Sequence, residues 1–342
     1  MLVASDGGKV DVIDGQLATT TFPITADQSA DGSVADCALS RDGTRLYSRR
    51  TGGNVNHGVL AYDISGGNPV FLGEALAPTP ALFGKPRNGL VISNDDRFGY
   101  FVDDGWVHEF DADAASGTFM TVTRSAASSV AGIDVAISAD DSLVFVTDGT
   151  NKCLVDDVAT LTEQTSILLS NVQGLLGFVL RYSCEVSPNG KWLATIQQGV
   201  LVGSPQYDGY AMLNVVSIDP NSPAYLQEVA AIPLPNFGQM QLAFDPKDAN
   251  DGTVVTVASD ANGNYEVQSI DWLNGTVQSV PVGVVNGLGA EDGGVGFSPN
   301  GSSLYVTCRG DDSFHVFDDT LTHLGSSNLA SSGGSWFIQV ER

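Results

Sequence analysis

Gly294-Val295-Gly296-Phe297-Ser298-Pro299-Asn300-Gly301, followed by Leu304-Tyr305-Val306-Thr307 and then Ser313-Phe314-His315-Val316-Phe317-Asp318, spells one structural unit. A short apolar run, a Pro-Asn-Gly turn, a β-branched and aromatic run, a polar turn and a third alternating run predict three antiparallel strands in succession. The same order returns from Cys37-Ala38-Leu39-Ser40-Arg41-Asp42-Gly43, from Leu90-Val91-Ile92-Ser93-Asn94-Asp95 and from Val135-Ala136-Ile137-Ser138-Ala139-Asp140. It returns again from Cys184-Glu185-Val186-Ser187-Pro188-Asn189-Gly190 and from Leu242-Ala243-Phe244-Asp245-Pro246, so six internal copies are visible.

Their spacing of roughly 43 to 58 residues suits a four-stranded propeller blade and is too long for a solenoid coil. The chain ends supply complementary fragments. Leu2-Val3-Ala4-Ser5 and Lys9-Val10-Asp11-Val12-Ile13-Asp14 match the second and third strands of the unit, while Trp336-Phe337-Ile338-Gln339-Val340-Glu341 matches a first strand. Pairing the two ends removes two sheet edges and closes a ring. The expected fold is therefore all-β: one domain over residues 1–342, a seven-bladed propeller of four-stranded antiparallel blades closed by its C-terminal strand.

Within each first strand, the residue before the terminal Ser or Asp is large (Leu39, Ile92, Ile137, Val186, Phe244, Phe297). The one before that is usually small (Ala38, Ala136, Ala243, Gly296). A large face of one blade can thus sit on a small face of its neighbour, which fills a tapered ring. On Phe297-Ser298-Pro299-Asn300-Gly301 and Leu304-Tyr305-Val306-Thr307, the chain resembles propellers of the Tyr-Val-Thr-Asn repeat type. The resemblance implies blade geometry. Proteins of that architecture include lactone hydrolases, amine dehydrogenase subunits, surface-layer proteins and adhesion modules, so fold alone does not assign an activity.

The chain carries 40 acidic against 15 basic residues, a net charge of −25, which repels nucleic-acid backbones and excludes that class of partner. Asp is the main source, as expected where short carboxylates cap many β-turns. No apolar run approaches the ~18 residues that span a bilayer, so membrane insertion is not expected. The N-terminus lacks the basic start and apolar stretch of a secretory signal, which leaves a cytoplasmic location, or an extracellular or virion surface reached by another route.

Cys37, Cys153, Cys184 and Cys308 fall in different repeats and are expected as four free, buried thiols. His57, His108, His315 and His323 show no metal-ligand spacing, and His108 and His315 occupy matching third-strand positions. Asp260-Ala261-Asn262-Gly263-Asn264-Tyr265-Glu266 departs from a calcium loop, and Arg309-Gly310-Asp311 reads as a turn. Neither a metal nor a cofactor is expected. Polar residues on or beside the first strands, Asp36, Asp134, Arg181, Glu185, Gln241 and Gln339, are the candidates for a ligand site at the ring axis, with Arg181 and Glu185 expected to pair.

These readings favour a binding or scaffold propeller over an enzyme. Its partners would be proteins of a large assembly or a cell-surface ligand, with a virion component or receptor-attachment spike as the specific form. The connections Thr25 to Val34, Ala75 to Lys85 and Gly199 to Tyr210 are the expected contact loops. A lactonase-type hydrolase with its site at the axis is the alternative.

Overall fold

The computed structural model describes residues 2–5, 9–13, 19–23, 33–51, 57–66, 69–78, 89–103, 105–129, 132–148, 151–170, 179–200, 209–235, 241–259, 264–283, 293–308, 313–328 and 335–339. Every regular element among them is a strand. Blade I holds β4 (Ser33–Leu39), β5 (Arg45–Thr51), β6 (Gly58–Asp63) and β7 (Val70–Leu76). Blade II holds β8 (Leu90–Ile92), β9 (Phe98–Asp103), β10 (Trp106–Asp111) and β11 (Val122–Ala127). Blade III holds β12 (Gly132–Ile137), β13 (Leu143–Asp148), β14 (Lys152–Asp157) and β15 (Thr162–Leu168). Blade IV holds β16 (Val179–Val186), β17 (Trp192–Val200), β18 (Gly209–Ser217) and β19 (Gln227–Leu234). Blade V holds β20 (Leu242–Phe244), β21 (Thr253–Ser259), β22 (Tyr265–Asp271) and β23 (Thr276–Gly283). Blade VI holds β24 (Val295–Phe297), β25 (Ser303–Cys308), β26 (Ser313–Asp318) and β27 (His323–Asn328).

Of the seven blades expected, the six internal ones are each four consecutive strands of the chain, and the count of seven is not carried by a seventh of that kind. The reason is that its N-terminal part supplies only three strands, β1 (Leu2–Ser5), β2 (Lys9–Ile13) and β3 (Thr19–Pro23). The fourth strand of that sheet is β28 (Ser335–Gln339), giving the order β28-β1-β2-β3. β28 runs antiparallel to β1, with Leu2 opposite Gln339 and Ala4 opposite Phe337. The first strands touch in a closed cycle, β4 to β8, β12, β16, β20, β24, β28 and back to β4. The chain is thus a β-propeller. No helix among the described residues is long and apolar enough to cross a membrane.

The turn after each first strand shows why the Ser-x-Asp/Asn signature recurs. In blade I the Ser40 hydroxyl donates to Asp42 at 2.6 Å and accepts from the Arg45 N–H at 2.9 Å, stapling five residues into a fixed reversal. Blade VI repeats it: Ser298 donates to Asn300 and accepts from the Ser303 N–H, both at 2.9 Å. The third turn position is left-handed, and Gly43, Gly190 and Gly301 occupy it without a Cβ penalty. Asp96 and Asp141 take the same conformation in blades II and III. Their carboxylates reach back to the preceding blade and accept the N–H groups of Arg41 and Asn94, at 2.8 and 2.9 Å, which offsets the strain. The acidity of the chain is therefore largely turn chemistry. Asp42 is held down to about 2, first by the Ser40 hydroxyl and then by the Thr44 N–H.

Large-on-small packing is present between blades. Ile92 of blade II lies against a cluster containing Ala38 of blade I, and Val186 of blade IV against one containing Ala136 of blade III. Phe297 of blade VI likewise joins Ala243 of blade V. Ala38, Ala136 and Ala243 thus face the following blade, and Ile92, Val186 and Phe297 the preceding one. All four cysteines are buried and outside any disulfide. Cys153 and Cys184 share the core between blades III and IV, so separation in the repeat does not place them far apart.

Candidate functional site

Antiparallel order puts the turns after each first and third strand on one face of the ring. The connections after each second and fourth strand then lie on the other. Asp36, Asp134 and Gln241 all stand four residues before the first-strand turn, near this second, loop-bearing face. The acceptors are spent in the same way. Asp36 takes the Leu90 N–H of blade II at 3.0 Å, Asp134 takes the Cys184 N–H of blade IV at 2.7 Å, and Gln241 takes the Val295 N–H of blade VI at 3.1 Å. Each latch joins a blade to the next, satisfying an N–H on the first-strand edge that no ladder reaches. The matching positions in blades II and VI are Gly89 and Gly294, and at Gly89 a Cβ would meet the Val102 side chain at 2.4 Å.

The latches are buried, and burial pushes the Asp36 carboxyl up to about 7 against the pull of the Cys37, Leu90 and Gly89 N–H groups and of Arg49. Burial raises Asp134 well above the ordinary range, and repulsion from Asp36 raises it further. An acid with a raised folded pKa holds its proton more tightly in the fold. Its contribution is complete below the unfolded value near 3.8 and is lost as the pH rises through about 7. Wild-type protein should accordingly lose stability relative to Asp36→Asn between pH 4 and pH 7. Urea unfolding at pH 4, 5.5 and 7 measures this, and a difference that stays constant with pH would refute a titrating latch.

Glu185 is half-buried on β16, opposite Ala194 of β17. Arg181 lies on β16 opposite Gln197, and Gln339 on β28 opposite Leu2, but their side chains fall outside the described residues. So do residues 260–263 and 309–311 and most of the three expected contact loops. Those loops are also shorter than expected: β4 begins at Ser33, β7 runs to Leu76, and β17 and β18 take in Val200 and Gly209.

Sequence reading missed two clusters. Between blades I and II, Arg49 is fully buried and donates to the carbonyls of Gly58 and Val102, both at 3.0 Å. Its guanidinium lies 4.8 Å from the centre of the Phe101 ring and 3.8 Å from the Asp103 carboxylate, which His57 Nδ1 meets at 3.1 Å. Asp103 Oδ2 has no hydrogen-bond partner among the described residues. His108 stacks on the other contact of Phe101, with centroids 4.7 Å apart, and burial lowers its imidazole to about 4, so the ring is neutral. These groups tie two blades together.

In blade VI, His315 Nε2 lies 2.6 Å from the Ser313 hydroxyl and its Nδ1 lies 3.2 Å from Nε2 of His323. Ser313 and His315 are buried and His323 is exposed. A strand-spacing argument cannot find this pair, because β26 and β27 meet with a register shift between Val316 and Phe317.

No family model matches the chain, and no curated protein matches it. Among solved structures, it is similar to Kuenenia stuttgartiensis hydrazine synthase at 18% identity and a TM-score of 0.65, covering 86% of this chain and 79% of that one. It is also similar to a functionally unknown protein from Desulfotomaculum acetoxidans DSM 771, at 10% identity and a TM-score of 0.68, covering 98% and 97%. At these identities the likeness is one of fold.

Proposed function

We propose that the chain is a seven-bladed binding scaffold, with the composite β28-β1-β2-β3 sheet as the seventh blade and a partner held on the loop-bearing face. The closed cycle of first strands supports that count. One observation carries the binding reading. The two longest connections, 77–89 and 284–294, join strand ends on the same face, whereas five of the six first-strand turns opposite have the stapled form. Function on a rigid scaffold concentrates in such connections. Asp36, Asp134 and Gln241 are engaged in holding blades, which weakens the case for a ligand at the axis and with it the lactonase alternative. A protein of an assembly, or a cell-surface molecule, is the partner proposed. The virion and extracellular settings rest on the sequence reading alone.

Cross-linking in material from the native source, followed by mass spectrometry, tests this. A variant with 77–88 replaced by a short Gly-Ser link should keep its thermal midpoint within a few degrees and lose the cross-linked partner. Shortening 112–121 on the opposite face should leave capture intact. Capture that survives the first change and fails with the second refutes the reading.

A further inference from the structure

The Ser313–His315–His323 chain has the arrangement of a nucleophile, a base and a group that orients the base. His315 is bonded through both ring nitrogens at once, at 2.6 Å on the serine side and 3.2 Å on the histidine side. Two neutral proton assignments satisfy both contacts, and one of them readies the serine. Nδ1–H of His315 donates to Nε2 of His323, which leaves His315 Nε2 as the acceptor of the Ser313 hydroxyl proton. The repeat does not explain this. His108 holds the matching position in blade II, but its Nδ1 meets Ser125, and its Nε2 has no partner among the described residues.

We infer that Ser313 is a nucleophile for acyl transfer from small, uncharged carboxylic esters, with His315 as general base and His323 as the residue that positions it. Ser313 opens β26 at the loop-bearing face. The neighbouring core is apolar, with Val306, Cys308 and Phe317, which suits a short acyl group in a place that excludes water. A net charge of −25 disfavours anionic substrates.

In the first half-reaction Ser313 Oγ bonds to the acyl carbon, its proton passes to His315 Nε2, and that proton leaves with the departing alkoxide as the alcohol. Water then attacks the acyl-serine, giving up its proton to His315. The ester bond to Ser313 breaks, its oxygen recovers the proton, and the acid is released. One ester and one water give one acid and one alcohol. The site lies in blade VI and is independent of partner binding by the loops.

A fluorophosphonate ester probe, followed by peptide mapping, tests the assignment. Ser313 of the wild-type protein should carry the adduct, and Ser313→Ala should abolish it with an unchanged thermal midpoint. His315→Asn should slow labelling by about a hundredfold or more. His323→Leu should slow it by about tenfold, and His323→Gln, which keeps an acceptor in place, should restore most of that loss. Wild-type protein that carries no adduct on Ser313 overturns the proposal, as does labelling of Ser313 at an unchanged rate in His315→Asn.

Discussion

Removal of residues 335–342 lowers the free energy of unfolding by more than about 4 kcal/mol, at the exceptional end of what small changes to a chain cost. The loss has two sources. β1 becomes an edge strand, because β28 is its partner on that side, and its N–H and C=O groups lose their ladder. The interblade contacts of β28 with β4 and with β24 and β25 vanish as well, so the first strands no longer form a cycle. Trimming 340–342 alone serves as the control and should cost less than about 1 kcal/mol, as loss of the last few residues of a domain usually does. Urea unfolding of the two truncations measures the difference. Equal midpoints would mean that the composite sheet does not hold the ring.

That strand was legible in the sequence because both halves of its information are local. A first-strand pattern lacking its second strand stands at one end, and second and third strands lacking their first stand at the other. The turns were legible for the same reason, since Ser298, Asn300 and Gly301 do their work within five residues. The large-small alternation of Phe297 and Gly296 was legible too, because period-two patterning reports which face meets which neighbour. What the sequence concealed are contacts set by how strands and blades meet. Asp36 reads as a polar residue at an axis, and nothing local says that its carboxylate is spent on Leu90, 54 positions away. His315 and His323 fail every metal or catalytic spacing rule, because their meeting depends on a bulge in the β26–β27 pairing. At Asp36, Asp134 and Gln241 the physical reason for a polar residue is the cost of leaving first-strand N–H groups unpaired.

Arg49 is the other case in which a long-range contact decides the outcome, and Arg49→Met should destabilise the protein by about 3–5 kcal/mol, the range for breaking a buried ion pair from one side. The substitution preserves much of the packing volume. It removes both carbonyl hydrogen bonds, to Gly58 and Val102, and the stacking on Phe101. It also leaves the Asp103 carboxylate buried beside His57 alone. Asp103→Asn should cost less, because the guanidinium keeps its two carbonyls and its ring. If the charge on Asp103 is the main burden in Arg49→Met, the double variant should recover at least about 1 kcal/mol relative to Arg49→Met, a coupling of the size seen for residues in one network. Urea unfolding of the four proteins closes the cycle. Strict additivity would assign the whole cost of losing Arg49 to its carbonyl and ring contacts, and would make the 3.8 Å approach to Asp103 incidental to the joint between blades I and II.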